Sequence, residues 1–228
     1  MCTHWTQAVF LFFLTGWPGA GKGTLCKFLA KIPGVVCLET SGLLRDYAVA
    51  HPESADQILV PMDNGLLVPI QFVKAAVEEG VQVAISNGYH FIFLDGFPRD
   101  EEQARLVSML RQSLPFNISF CWINLLLSRE EAEQRILKRV QMDIKEGRQP
   151  RKDDLDPKKR QIRLDGHEIR SRQVAWVLSS LDSSVLVLEV DIDATPASGA
   201  VLTDCLDVLM NLGVGDVPAE VMEVILTS

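Results

Sequence analysis

Six consecutive apolar residues, Val9 to Leu14, run directly into Thr15-Gly16-Trp17-Pro18-Gly19-Ala20-Gly21-Lys22-Gly23-Thr24, and a helix-forming stretch, Leu25 to Lys31, follows. Buried strand, glycine-rich loop and helix, in that order, leave the chain few alternatives. The glycines let the backbone curl so that several N–H groups face one anion. The helix N-terminus adds partial positive charge, and Lys22 adds a full charge on a flexible stem. A plain turn in a crowded strand–helix unit is the competing reading. The position of the loop between strand and helix argues against it.

Only a chain with its own core can support such a loop. With 228 residues this one is expected to form a single domain with small inserts. Its 47% hydrophobic and 23% charged content is that of an ordinary globular protein. A net charge of −8 argues against nucleic-acid or anionic-membrane binding, so a polyanionic ligand must be met by local clusters of Lys and Arg. Five scattered cysteines without a CxxC pair predict a reducing compartment and no zinc site. The segment before Val9 has no Lys or Arg, and cleavage after the apolar run would destroy the loop, so no signal peptide is expected.

Further along, Val35–Leu38, His90–Leu94, Ile118–Leu125 and Val185–Val190 read as buried strands. Helices are predicted after Thr40 or Ser41 as cap, over 52–64, from Pro69 to Asn87-Gly88, over 101–111, from the capping box Ser128–Glu131 to about Lys145, from Pro157 to about Leu181, and around Val201–Leu209. Glu146 to Asp154 is polar and reads as irregular. Buried strands alternating with helices predict a parallel five-stranded sheet covered on both faces, with ligands beyond the carboxyl ends of the strands.

Two other features lie at such ends or near them. Asp95 closes an apolar strand, where a carboxylate can serve magnesium, and Arg99 follows just after Pro98. Arg45 is a second arginine soon after a strand, so a second anion site is predicted. Arginines then accumulate: Arg135 and Arg139 share a helix face, Arg148 and Arg151 lie in the polar segment, and Arg160, Arg163, Arg170 and Arg172 follow. A solvated, salt-bridged hairpin would account for them. So would a mobile cover that brings guanidinium groups onto transferring phosphate.

Gly16–Thr24, with its proline and Gly-Lys-Gly-Thr ending, resembles the phosphate loop of adenylate kinases. Asp95-Gly96-Phe97-Pro98-Arg99 followed by Gln103 resembles that family's monophosphate signature. The resemblance implies a P-loop fold with an acceptor-binding helical insert at about 43–68, a short lid at about 140–159, and core segments 9–42, 69–139 and 160–213. It implies reversible phosphoryl transfer from Mg-ATP to AMP without a covalent intermediate.

By the same resemblance, Gly16, Pro18, Gly19, Ala20, Gly21, Lys22, Gly23, Thr24 and Arg135 would bind ATP. Thr40, Arg45, Val68, Gly96, Arg99 and Gln103 would bind AMP. Lys22, Asp95, Arg139, Arg148 and Arg163 would be catalytic, with Thr24 and Asp95 meeting magnesium through its water. It further implies a cytoplasmic monomer that uses magnesium but not zinc. Its partners would be ATP and AMP, without nucleic acid or membrane.

This sequence departs from the family pattern in places. Thr40-Ser41-Gly42 replaces the usual Thr-Gly-Asp, the lid carries the extra residues Pro150 and Arg151, and Arg160 rivals Arg163. Thr40 and Gln103 favour AMP, since an amide offers donor and acceptor to an adenine edge. A UMP/CMP kinase of the same fold remains an alternative, as does a nucleotide-binding regulatory protein that has lost catalysis. A GTPase is disfavoured because no Asn-Lys-x-Asp segment is present.

Overall fold

A computed structural model describes residues 9–114, 118–180, 185–191 and 199–211. Five parallel strands form one sheet in the order β2-β3-β1-β4-β5. They are β1 (Val9–Gly16), β2 (Val35–Glu39), β3 (Phe91–Asp95), β4 (Ile118–Leu126) and β5 (Val185–Asp191). The tail after Gly213 lies outside the described residues.

β1 is central because almost every one of its side chains is apolar, so both of its faces can be covered. Leu11 and Phe13 join one core with Ile92, Leu94 and Trp122; Phe12 and Leu14 join the other with Phe93 and Ile123. The Phe12 ring stacks on Phe93, its register partner in β3, with centroids 4.3 Å apart. Such a pair adds about 1 kcal/mol to simple burial.

The first core is covered by α2 (Thr40–Ala50), α3 (Ala55–Asp63), α4 (Ile70–Ser86) and α5 (Glu101–Ser113). The second is covered by α1 (Lys22–Leu29), α6 (Arg129–Lys145) and α9 (Gly199–Asn211). A helical turn, α7 (Lys152–Leu155), leads into the long α8 (Pro157–Ser180). α8 belongs to both cores: Leu164 packs in the second, and Val174, Val177 and Leu178 pack in the first. Its middle therefore passes the carboxyl edge of the sheet. There it touches Trp17, just after β1, and Arg129, at the start of α6.

Several local expectations need correction. Neither Thr40 nor Ser41 caps α2: Glu39 occupies the cap without a side-chain bond. The Thr40 hydroxyl instead donates to the Asp95 carbonyl (2.9 Å), tying α2 to the end of β3. α1 begins at Lys22 rather than Leu25, because the loop's left-handed turn at Gly21 already sets the helix going. The predicted 52–64 helix is a 3-10 turn, Pro52–Ser54, followed by α3. The polar segment predicted as irregular up to Asp154 ends in α7. Ser128 does accept from the Glu131 N–H, as a capping box requires.

At the end of β1 a buried polar chain locks the sheet. Trp122 Nε1 donates to Thr15 Oγ1 (2.8 Å), and Thr15 Oγ1 donates to Asn124 Oδ1 (2.9 Å). Thr15→Val keeps the shape but leaves the Trp122 N–H unpaired. It is expected to lower the unfolding free energy by about 2 kcal/mol, measured by urea titration.

Candidate active site

β1 and β3 are paired with Leu14 opposite Asp95, so the loops that leave them start side by side. The Gly96 N–H donates to the Leu14 carbonyl (3.0 Å) and joins the two loops. Asp95 and Lys22 therefore meet because of strand register, although 73 positions separate them in the chain.

The phosphate loop is drawn tight. Gly16 has φ +138°, and a Cβ there would lie 2.5 Å from the Leu125 carbonyl oxygen. Gly19 has φ +89° and sits against Ala132 of α6. Only glycine meets both demands, a left-handed backbone and close approach. Lys22 turns back into the loop, and its Nζ donates to the carbonyls of Gly16 (2.7 Å) and Trp17 (3.0 Å). Burial pulls its pKa down to about 8; Asp95 opposes that shift, while Arg163 and Arg99 add to it. Lys22 thus lies within electrostatic reach of one carboxylate and two guanidinium groups.

Asp95 is half-buried, and burial raises its pKa against the pull of Lys22, Arg99 and Arg151. On the acceptor side, the Arg99 guanidinium folds over Gly96, and its Nε donates to the Gly96 carbonyl (2.8 Å). The Arg99 N–H donates to Gln103 Oε1 (2.9 Å), and Gln103 is 3% exposed. Thr40 is equally buried, at 3%. Arg45 is exposed, and its guanidinium donates to the Ser41 carbonyl of its own helix. Among the described residues no ion pair is formed by Arg45 or Arg99. Val68 is buried just ahead of α4.

The arginine-rich segment divides into two groups. Asp154, 2% exposed, accepts from Arg139 Nη2 (2.5 Å) and Arg163 Nη1 (2.9 Å), while its carbonyl accepts from Arg160 Nη1 (2.9 Å). Arg160 and Arg163 are thus both used, one on the main chain and one on the side chain. Arg135 pairs with Glu131 of its own helix. Arg148 is exposed and bound to Asp143 and Glu146 beside it. Within that segment the charge of Arg151 reaches Asp95. The family resemblance assigns a role to Arg148 and leaves Arg151 as an extra residue of the lid. The available signal was the adjacent Lys152-Asp153-Asp154, since Asp154 anchors the segment to α6 and α8. Arg170, part of the same arginine run but given no individual role by the resemblance, has its charge felt at Arg99.

Thr24 stands exposed on the first turn of α1, and Asp95 closes β3. Among the described residues no three acidic, His or Cys side chains gather to chelate a metal. One hydroxyl and one carboxylate fit magnesium, which keeps much of its water and takes further oxygens from phosphates.

A lysine-wrapped glycine loop after the central strand of a parallel sheet, with a carboxylate at the end of the adjacent strand, defines a P-loop α/β protein. The sequence profile of adenylate kinases matches residues 14–191, so the chain belongs to the adenylate kinase family. Adenylate kinase isoenzyme 1 of Caenorhabditis elegans is 31% identical over 130 residues, which is 57% of this chain and 58% of that protein. Adenylate kinase of Elusimicrobium minutum is 34% identical over 131 residues, covering 58% and 59%. That of Bartonella tribocorum is 31% identical over 142 residues, covering 62% and 72%. The match spans about three fifths of the length of the first two relatives.

The Asp154 contacts hold the segment after α6 onto α8. Asp154→Ala is expected to lower stability by about 2 kcal/mol, since both guanidinium groups still reach water. Thermal unfolding of the variant checks this.

Proposed function

We propose that this protein catalyses reversible phosphoryl transfer from Mg-ATP to AMP, giving two ADP. One observation carries the reading. The phosphate loop and the β3 loop leave their strands side by side, tied by the Gly96 N–H to the Leu14 carbonyl, and there Lys22 feels the charges of Asp95, Arg163 and Arg99 while Arg99 feels those of Asp95 and Arg163. A donor loop and a separate acceptor cation thus face a common space at the carboxyl ends of β1 and β3.

Each residue has a chemical task in this scheme. The loop N–H groups of Gly19 to Thr24 and Lys22 would hold the donor's phosphates. Arg99 and Arg45 would grip the acceptor phosphate, and neither is held in an ion pair among the described residues, which leaves them available to an anion. Arg163 and Arg151 would spread over the charge that develops between the two nucleotides, with Arg139 holding Asp154 beneath them. Magnesium held near Thr24 and Asp95 would neutralise phosphate charge and orient the transferred group. Segments 43–68 and 140–159 would close over acceptor and donor, excluding the water that would otherwise take the phosphoryl group. Together these place two anions in line, which is the greater part of what phosphoryl transfer needs.

Base choice follows from the hydrogen bonds already made. Gln103 Oε1 is engaged by Arg99, so its NH2 is what remains to donate. The Thr40 hydroxyl spends its proton on Asp95, so its lone pairs remain to accept. One donor and one acceptor would suit a base edge with a ring nitrogen beside an exocyclic amine, as adenine has. Cytosine shares that edge, so a purine-to-pyrimidine comparison is needed.

The deciding experiment is an acceptor panel of AMP, dAMP, CMP and UMP with ATP and magnesium, read as ADP formed. AMP is expected to be preferred; a clear preference for UMP or CMP overturns the assignment, and no ADP formation by a folded sample that binds ATP overturns catalysis. Arginine roles are separated by two variants. Arg151→Ala should lower kcat by about a hundredfold, as for loss of one transition-state donor. Arg148→Ala should stay within about threefold of the parent enzyme, since its carboxylate partners are exposed surface groups.

A further inference from the structure

The middle of α8 presents Arg163, His167 and Arg170 at intervals of four and three residues, which puts them on one helix face. The His167 ring packs against the Trp17 indole with centroids 4.8 Å apart and a tilt of 58°. Trp17 is itself part of the phosphate loop, and its carbonyl accepts from Lys22 Nζ. His167 Nε2 is shielded from solvent and has no hydrogen-bond partner among the described residues. Packing alone would be served as well by a phenyl ring, without the desolvation cost of an imidazole nitrogen.

The charges around His167 are mostly of one sign. Burial is the largest influence; Lys22 from α1 and Arg170 and Arg163 from α8 add to it, and together they hold the imidazole down to about 3. The nearest carboxylates along α8, Asp165 and Glu168, are both in ion pairs with Arg129 of α6. The imidazole is therefore neutral, in a setting whose positive charge a polyphosphate would cancel.

We propose that His167 is a positioning residue of the donor-nucleotide site: it seats the phosphate loop through Trp17, and it takes up a proton when a polyphosphate anion fills that loop. The proposal rests on the reading of Gly16–Thr24 as the donor half. The proton comes from water or buffer and returns there when the nucleotide leaves; no bond of the nucleotide is made or broken. Linkage is reciprocal, so an anion that raises the proton affinity of His167 binds more tightly once His167 is protonated. Donor affinity then rises as pH falls through the bound-state pKa of the imidazole. Lys22, held at about 8, acts in the same direction at higher pH, so the two contributions separate along the pH axis.

The test is calorimetric titration with Mg-ADP at about pH 6, near the ordinary range of a histidine, in two phosphate-free buffers of different ionisation enthalpy. His167→Phe keeps the ring contact and removes the nitrogen. His167→Gln keeps a polar group without titrating and guards against a folding failure. The parent protein is expected to take up a proton fraction on binding that both variants lack. It should also bind Mg-ADP about fivefold more tightly than they do at that pH, with the gap closing as pH rises. Trp17 emission, assigned with Trp17→Phe, should fall as the complex forms at low pH, because a protonated imidazole quenches its neighbour. Equal proton uptake and parallel pH dependence in parent and variants overturn the role of His167 while leaving the donor loop intact. Failure of the parent to bind Mg-ADP overturns the donor reading itself and the proposal with it. Since protonation of ADP is common to all samples, only the difference between parent and variants counts.

Discussion

Gathered positive charge is the constraint around which this molecule is built. At the carboxyl ends of β1 and β3 the charges of Arg163 and Arg99 are felt at Lys22, and those of Arg163 and Arg170 at Arg99, with Asp95 opposing at both and Glu39 at Arg99. The chain as a whole is acidic, at −8, so this concentration is local. Like charges at such range repel, and side-chain pairing alone does not hold them. Main-chain carbonyls do part of the work: Gly16 and Trp17 accept from Lys22, and Gly96 accepts from Arg99. The rest comes from two apolar cores rigid enough to keep the loops where they are. An anion entering the cluster relieves repulsion already present, which is preorganisation in its electrostatic form.

α8 connects that cluster to the scaffold. It buries Leu164 in one core and Val174, Val177 and Leu178 in the other, so the helix carries no continuous apolar stripe. Between those anchors its polar middle is free to face the loops. Arg163, His167 and Arg170 on this span reach Lys22, Arg99 and Trp17, while Asp165 and Glu168 are drawn off to Arg129. Asp154 ties the preceding segment to the same helix through Arg139 and Arg163.

Much of this was legible in the chain. Apolar runs marked all the strands, and the Ser128–Glu131 box marked the start of α6, because both depend on local chemistry. Less legible was anything decided by which side of an element a residue meets. Thr40 looked like a cap, since Thr before a helix usually is one; strand pairing between β2 and β3 brought the Asp95 carbonyl close enough to claim its hydroxyl. Arg148 and Arg151 are indistinguishable by type. Their surroundings diverge: Asp143 and Glu146 lie beside Arg148, whereas the charge of Arg151 is felt at Asp95. His167 escaped notice because a single histidine in a charged helix carries no local signal.

The sequence by itself determined the class of fold, the phosphate loop with its lysine, and the pairing of that loop with an Asp-to-Arg motif farther along. These follow from glycine conformational freedom, apolar periodicity and the chemistry of residues adjacent in the chain. Tertiary structure alone decided which arginines are held in ion pairs and which are felt at Lys22 and Asp95, which polar atoms are already spent, and that a histidine packs against the loop's Trp17. Those outcomes depend on strand register and on where a long helix crosses the sheet, and both are settled by packing between segments far apart in the chain.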